Sequence, residues 1–193
     1  MKKYLILIFG LVISQSNEIN SLSERLKPLK SYIGKTFKGE FSNSTPEKPV
    51  FDVQHWERIL NGKGIRITHS VNNGEYGGES IIMWDDELES LVSWYFTTAG
   101  FYTQATIVIE EGKLSSTEKV TGNENGITEV KSIVQLLPNG NLHTKSQYFQ
   151  NGKWVDGHEI QYKEDPKAKI IYRHLKNKKT FPIPYFIIFG ILF

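Results

Sequence analysis

Cysteine is missing from all 193 residues. That absence excludes thiol nucleophiles, cysteine-ligated zinc, iron–sulfur clusters and disulfides, so the fold must be held by its core alone. The signatures G-x-S-x-G, H-E-x-x-H, the P-loop and the dinucleotide fingerprint are also missing, and nothing in the chain points positively to catalysis. No apolar run reaches the ~20 residues of a helical membrane span. No helical crossover separates the apolar segments, which excludes a parallel α/β sheet. Between residues 17 and 165 there are 15 Lys/Arg against 21 Asp/Glu, a net of −6. A mildly acidic body lacks the clustered basic face that phosphate binding needs, so nucleic acid is not an expected partner.

What the chain does have is a rhythm. Asn61-Gly62, Asn73-Gly74, Asp85-Asp86, Ala99-Gly100, Glu111-Gly112, Asn125-Gly126, Asn139-Gly140 and Asn151-Gly152 recur 12 to 14 residues apart. Asn-Gly and Asp-rich pairs favour the positive-φ conformations of tight hairpin turns. Each interval therefore holds one strand and one reversal. Strands are expected at 35–42, 50–60, 64–72, 76–84, 88–97, 101–110, 113–121, 127–137, 141–150 and 153–163. A meander of that length closes on itself, because an open edge strand invites pairing with another chain. The expected fold is all-β: a single up-and-down antiparallel β-barrel of about ten strands with a short N-terminal helix. That helix is read over 21–33, where Leu22, Leu26, Leu29 and Ile33 share a helical face that suits a plug for one barrel end. Pro28 kinks or divides it.

The two ends differ from the body. Met1-Lys2-Lys3, ten apolar residues over 4–13 and Ser14-Gln15-Ser16 read as a bacterial secretory signal peptide cut near Ser16. The chain thus divides into a signal peptide (1–16), a barrel domain (17–165) and a tail (166–193), and the expected location is secreted or periplasmic. The tail carries six basic residues and no acidic one, then thirteen uncharged residues from Phe181 to Phe193. That apolar end dips into a membrane interface, packs on the barrel, or is an extension without a folded role.

The segments 29–41 (LKSYIGKTFKGEF), 76–85 (YGGESIIMWD), 95–103 (YFTTAGFYT) and 152–164 (GKWVDGHEIQYKE) resemble calycin-like ten-stranded barrels, the group of lipocalins, fatty-acid-binding proteins and nitrobindin-type barrels. Gly34, Phe37 and Gly39 stand where the nitrobindin type has its G-x-W/F-x-G opening, and the likeness is to an uncharacterised secreted branch. It is the small closed barrel, not that branch, that suggests an interior holding a small molecule. Haem-binding members use a His on a late strand, which makes His158 the candidate axial ligand, with His69 as the other candidate. Chemistry with nitric oxide or peroxynitrite would follow from that likeness.

The expected function is interior binding of a small hydrophobic or amphipathic ligand. Trp84, Trp94, Phe96, Phe101 and Tyr102 crowd one hairpin and form the candidate ligand wall; ordinary cross-strand packing is the competing reading. Arg66, Glu79 and His158 are the candidate polar groups that orient the ligand, Glu79 because Gly77-Gly78 before it suggests a bulge. His69, on an apolar strand face, reads either as a core histidine or as a ligand. Glu118 and Glu129 on adjacent strands are a candidate carboxylate pair. No metal-ligand spacing is present and no cofactor other than haem is implied. The alternatives are the haem-binding barrel, a cavity enzyme using a carboxylate or His, and an envelope interaction module with a filled core.

Overall fold

The computed structural model describes residues 21–122 and 126–173. The signal-peptide reading of 1–16 and the apolar stretch 181–193 lie outside the described residues. Ten antiparallel strands follow one another as predicted: β1 (Thr36–Phe41), β2 (Phe51–Ile59), β3 (Gly64–Val71), β4 (Tyr76–Asp85), β5 (Ser90–Thr97), β6 (Tyr102–Glu110), β7 (Lys113–Thr121), β8 (Ile127–Leu136), β9 (Leu142–Gln150) and β10 (Lys153–Glu164). Each pairs with its sequence neighbours, and β1 pairs with β10 from Phe37↔Glu164 to Phe41↔Ile160 to close the barrel. Closure leaves no sheet edge for another chain to pair with.

Local chemistry explains the reversals. Asn151 (φ 53°) and Gly152 (φ 79°) both sit in the left-handed region, which the tight turn between β9 and β10 requires. Away from the turns the strands alternate. On β6 and β7, Thr103, Ala105, Ile107, Leu114, Ser116 and Glu118 are buried while the residues between them are exposed. Small residues make room for large ones inside. A Cβ on Gly78 would lie 2.3 Å from the Tyr95 ring and 2.6 Å from the Phe96 carbonyl oxygen, and one on Gly39 would lie 2.7 Å from the Tyr162 ring. Both rings therefore lie against bare backbone, and the interior is packed with tyrosine where those strands carry glycine.

One end of the barrel is plugged. Residues Glu24–Tyr32 form a 3₁₀ helix, and its buried side chains Leu26, Leu29 and Tyr32 recur every three residues, the period of that helix. The expected face ended on Ile33; the tighter winding puts Tyr32 there instead. Its ring stacks on Trp56 at 4.6 Å, and its hydroxyl accepts the Leu136 N–H at 3.2 Å. Arg25 covers the Trp84 ring at 4.4 Å, and Ser23 N–H donates to the Gly62 carbonyl. We expect Arg25→Ala to lower stability by only ~0.5–1 kcal/mol in urea unfolding, because the guanidinium is exposed and the cation–π contact is its main partner.

The chain does not leave the barrel at Asp165. Residues 165–173 form a strap along the outer wall. Asp165 N–H donates to the Thr36 carbonyl at the plugged end, Ile171 N–H to Ser70 Oγ, and the Tyr172 hydroxyl to the Gly78 carbonyl at 2.8 Å. Arg173 donates to the carbonyls of Asn72 and Asn73 in the β3–β4 turn, at the opposite end. A groove of about 720 Å³ lies between this strap and the outer faces of β1–β3, floored by Phe51, Val53 and Ile171.

Candidate functional site

Which strand face points inward decides what the barrel can hold. On β2 the inward residues are Asp52, Gln54 and Trp56, while Phe51 and Val53 face out. On β5 they are Leu91, Ser93 and Tyr95. The interior is consequently apolar near the plug and polar across its middle.

The middle is built on a buried chain of hydrogen bonds. Asp52, His69, Tyr76, Tyr95 and Tyr162 are each 2 % exposed or less. Asp52 Oδ1 lies 2.9 Å from His69 Nδ1, and Asp52 Oδ2 accepts from the Tyr162 hydroxyl at 3.0 Å. A carboxylate there takes the Nδ1–H, which leaves Nε2 as the acceptor for the Tyr95 hydroxyl at 2.7 Å. Tyr95 in turn lies 2.8 Å from the Tyr76 hydroxyl. Burial pushes the Asp52 carboxyl up, with His69 and Tyr162 acting against it. Burial also raises Tyr95 well above the ordinary phenol range.

Across the barrel, Ser116, Ser132 and Ser146 stand opposite one another on β7, β8 and β9. Ser116 and Ser132 donate to Glu118 Oε1 at 3.3 and 3.2 Å. Glu118 is sealed inside, and burial pushes its carboxyl up to about 8, although the neighbouring hydroxyls pull it back. At neutral pH this side chain holds a proton. Among the described residues its second oxygen, Oε2, has no hydrogen-bond partner, nor has Ser93 Oγ.

The third group lies at the unplugged end. The β9–β10 register shifts between Asp156 and Glu159. That bulge takes the His158 N–H out of the ladder, so it donates to Ser146 Oγ at 2.9 Å, and it restores inward parity to His158, Ile160 and Tyr162. A Cβ on Gly157 would lie 2.5 Å from the Tyr148 ring, so only glycine lets that ring approach the bulge. The imidazole is met edge-on by Phe41 at 4.9 Å and by Tyr148 at 5.9 Å. His158 is half-buried as a residue, yet its Nε2 is sealed from solvent and has no partner among the described residues. Burial pushes its pKa down to about 4, so the ring is neutral at physiological pH.

The structure separates the residues singled out from sequence. His69, Phe101 and His158 face inward, and Trp84 packs against the core at the plugged end. Arg66 and Glu79 are on the outer wall, where Arg66 pairs with Glu57 at 2.6 Å and lies 3.9 Å from Glu79. Trp94, Phe96 and Tyr102 also face out, the last two 6.2 Å apart. The physical reason is parity: Tyr95 takes the inward position on β5, so its aromatic neighbours cannot. Glu118 points inward and Glu129 is exposed on the other face, so those carboxylates do not meet. Sequence reasoning missed Asp52, Tyr76, Tyr95, Tyr148 and Tyr162.

No protein-family model matches this chain, and no curated protein matches it either. Among solved structures, it is similar to the crystal structure of Rv2717c from M. tuberculosis, with a TM-score of 0.57 and 10 % identity. The match covers 75 % of this chain and 99 % of that one. This likeness is one of fold. It supports the ten-stranded barrel and leaves the finer grouping with calycins as a proposal.

Proposed function

We propose that this barrel binds a small amphipathic molecule through its unplugged end, with His158 Nε2 as the polar contact. One observation carries the reading: a neutral imidazole nitrogen, shut off from water and unpaired, between two aromatic rings. An unsatisfied buried polar atom costs about 1–3 kcal/mol, and a ligand group that donates to or coordinates Nε2 removes that cost. Apolar ligand surface would bury against Phe41, Phe101 and Tyr148 at about 25 cal/mol per Å². Phe41 and Tyr148 both meet the His158 ring edge-on, so entry requires them to move. Ser93 Oγ and Glu118 Oε2 supply further unpaired polar atoms deeper inside. The likeness of 29–41 to nitrobindin-type barrels supports membership of the calycin group, and the leader read at 1–16 makes the ligand one met outside the cytoplasm.

The same observation favours a second reading, haem. Axial ligation needs a neutral imidazole with one free nitrogen, which His158 offers; His69 has both nitrogens engaged, by Asp52 and Tyr95. Haem held there would supply an iron able to take a small diatomic ligand. His158 would hold the metal, Phe41 and Tyr148 would fix the plane of its ring, and burial would keep it unprotonated down to about pH 4.

Native mass spectrometry and absorption spectra of the full chain test both readings. Bound small molecules, or a Soret band on haem titration, are expected in the wild type and should fall at least tenfold in His158→Ala, a change of ~1.4 kcal/mol or more. Equal binding by the variant, with the fold intact by circular dichroism, would remove His158 from the site.

A further inference from the structure

A belt of small side chains steps round the inside of the barrel. Ser80, Ser93, Ala105, Ser116, Ser132 and Ser146 come from the six successive strands β4 to β9, and each is 5 % exposed or less. The register sets Ser93 across from Ala105 and Ala105 across from Glu118, and it lines up Ser116, Ser132 and Ser146. On β5 the neighbouring inward positions are Leu91 and Tyr95, and on β6 and β7 they include Ile107 and Leu114. The belt side chains reach less far toward the barrel axis than these.

Polar atoms without partners line the same belt. Among the described residues, Ser93 Oγ, Thr103 Oγ1 and Glu118 Oε2 have none at hydrogen-bond geometry. They sit on adjacent strands, and their residues are 0, 2 and 1 % exposed. Thr103 stands close enough to Glu118 to pull its pKa down. A buried polar atom left unpaired costs about 1–3 kcal/mol, so such atoms in native interiors are met by water or by a ligand.

The chemistry of the belt says which ligand. Glu118 Oε1 accepts from Ser116 and Ser132, so the proton that the carboxyl holds at neutral pH sits on Oε2 and makes it a donor. The hydroxyls of Ser93 and Thr103 can donate as well. An anion would find no counter-charge, because no Lys or Arg among the described residues is buried. A cation would find no free carboxylate, because Asp52, the other buried acid, already takes His69 and Tyr162. Burying an unpaired charge costs far more than burying a neutral polar group.

We propose that the belt is a subsite for the uncharged, oxygen-bearing head of the ligand, the carbonyl of a ketone, ester or amide, which accepts from Ser93, Thr103 and Glu118. The rest of the molecule then lies toward His158. Ser146 links the two places: it stands across from Ser132 and accepts the His158 N–H. This names a ligand class for the barrel and rests on the reading that a ligand enters it, but the belt and His158 meet different parts of the molecule.

Calorimetric titration of the full chain at neutral pH, with methyl octyl ketone, decanoate and decylamine as probes of equal chain length, tests the subsite. The ketone should bind at least tenfold more tightly than either ion. Ser93→Ala and Thr103→Val each remove one hydroxyl and keep the strand's shape, and each should weaken ketone binding roughly fivefold, with the fold checked by circular dichroism. His158→Ala should keep the preference for the ketone, because the alkyl tail carries nothing that Nε2 can bond; that result together with losses in the two belt variants supports the subsite whether or not His158 holds a ligand group. A ketone that does not bind, equal binding of the three probes, or undiminished ketone binding by both belt variants overturns the proposal. The last of these, combined with a loss in His158→Ala, would leave the ligand at the mouth alone.

Discussion

Glu118→Gln is expected to make the protein more stable above neutral pH, the reverse of what most core substitutions do. The wild-type carboxyl is sealed inside, with Ser116 and Ser132 donating to one oxygen and the Thr103 hydroxyl also pulling its pKa down. Burial raises it from 4.5 to about 8. Between those values the unfolded chain has released the proton and the folded chain still holds it, so stability falls as pH rises, by at most ~1.4 kcal/mol per pH unit. The full loss, complete by about pH 9, is bounded at about 5 kcal/mol. Glutamine keeps the shape and the acceptor for the serines and cannot ionise. Asp52, also raised by burial, works in the same direction and remains in the variant. His158 works in the opposite direction lower down: its pKa falls from 6.5 to about 4, so its share of stability is present above 6.5 and lost as pH drops through 4. Between 4.5 and 6.5 the two groups offset each other. Thermal unfolding from acid to alkaline pH reads the outcome. The wild type should lose stability from pH 6.5 upward more steeply than Glu118→Gln, which keeps only the Asp52 contribution, so that the variant melts on the order of 5–10 °C higher at alkaline pH. Parallel profiles for the two proteins would show that Glu118 does not carry the shift.

Asp52→Ala should cost about 3–5 kcal/mol, among the largest losses from any single truncation in the barrel. Its carboxylate is 0 % exposed and receives two buried groups, His69 Nδ1 and the Tyr162 hydroxyl. Truncation strands both donors away from water and opens a void beside them. The loss passes along the chain, because His69 then has no partner to set its tautomer for Tyr95. Asp52→Asn separates charge from contact. An amide keeps one acceptor but presents donors toward a donor, so it should recover part of the loss and remain about 1–3 kcal/mol below wild type. Urea unfolding at neutral pH, with the slope unchanged, gives both numbers. A loss under about 1 kcal/mol for Asp52→Ala would mean that His69 and Tyr162 find other partners, and the Asp–His–Tyr chain would not organise the interior.

Architecture was legible because its signals are local. A reversal such as Asn151-Gly152 needs two residues that tolerate positive φ, and that requirement belongs to the dipeptide wherever it stands. Eight turn pairs at near-constant spacing set the strand count, four of them (Asn61-Gly62, Asn73-Gly74, Glu111-Gly112 and Asn151-Gly152) with both described residues at positive φ, and β7 begins and ends where its turns place it. The plug was readable for the same reason, in the spacing of Leu22, Leu26 and Leu29, although only the 3₁₀ winding around Pro28 brings Tyr32 into place of Ile33.

The interior was not legible, since inside and outside exist only once the barrel closes. On β2 and β5 both faces carry large side chains, and alternation alone ranks Phe51 and Trp94 above Asp52 and Ser93. Closure decides otherwise: the polar set is enclosed because Asp52, His69, Tyr95 and Tyr162 satisfy one another from strands up to 110 residues apart. A single bulge before Glu159 changes which residues of β10 face in, and no composition signal marks it. The strap is the same kind of fact, since Ile171 and Tyr172 find Ser70 and Gly78 across about 100 residues of chain. Turn chemistry in the sequence by itself determined that this chain is a ten-stranded barrel. Only long-range pairing decided that its middle is polar, that His158 Nε2 is sealed in without a partner among the described residues, and that the strap 165–173 ends on the β3–β4 turn.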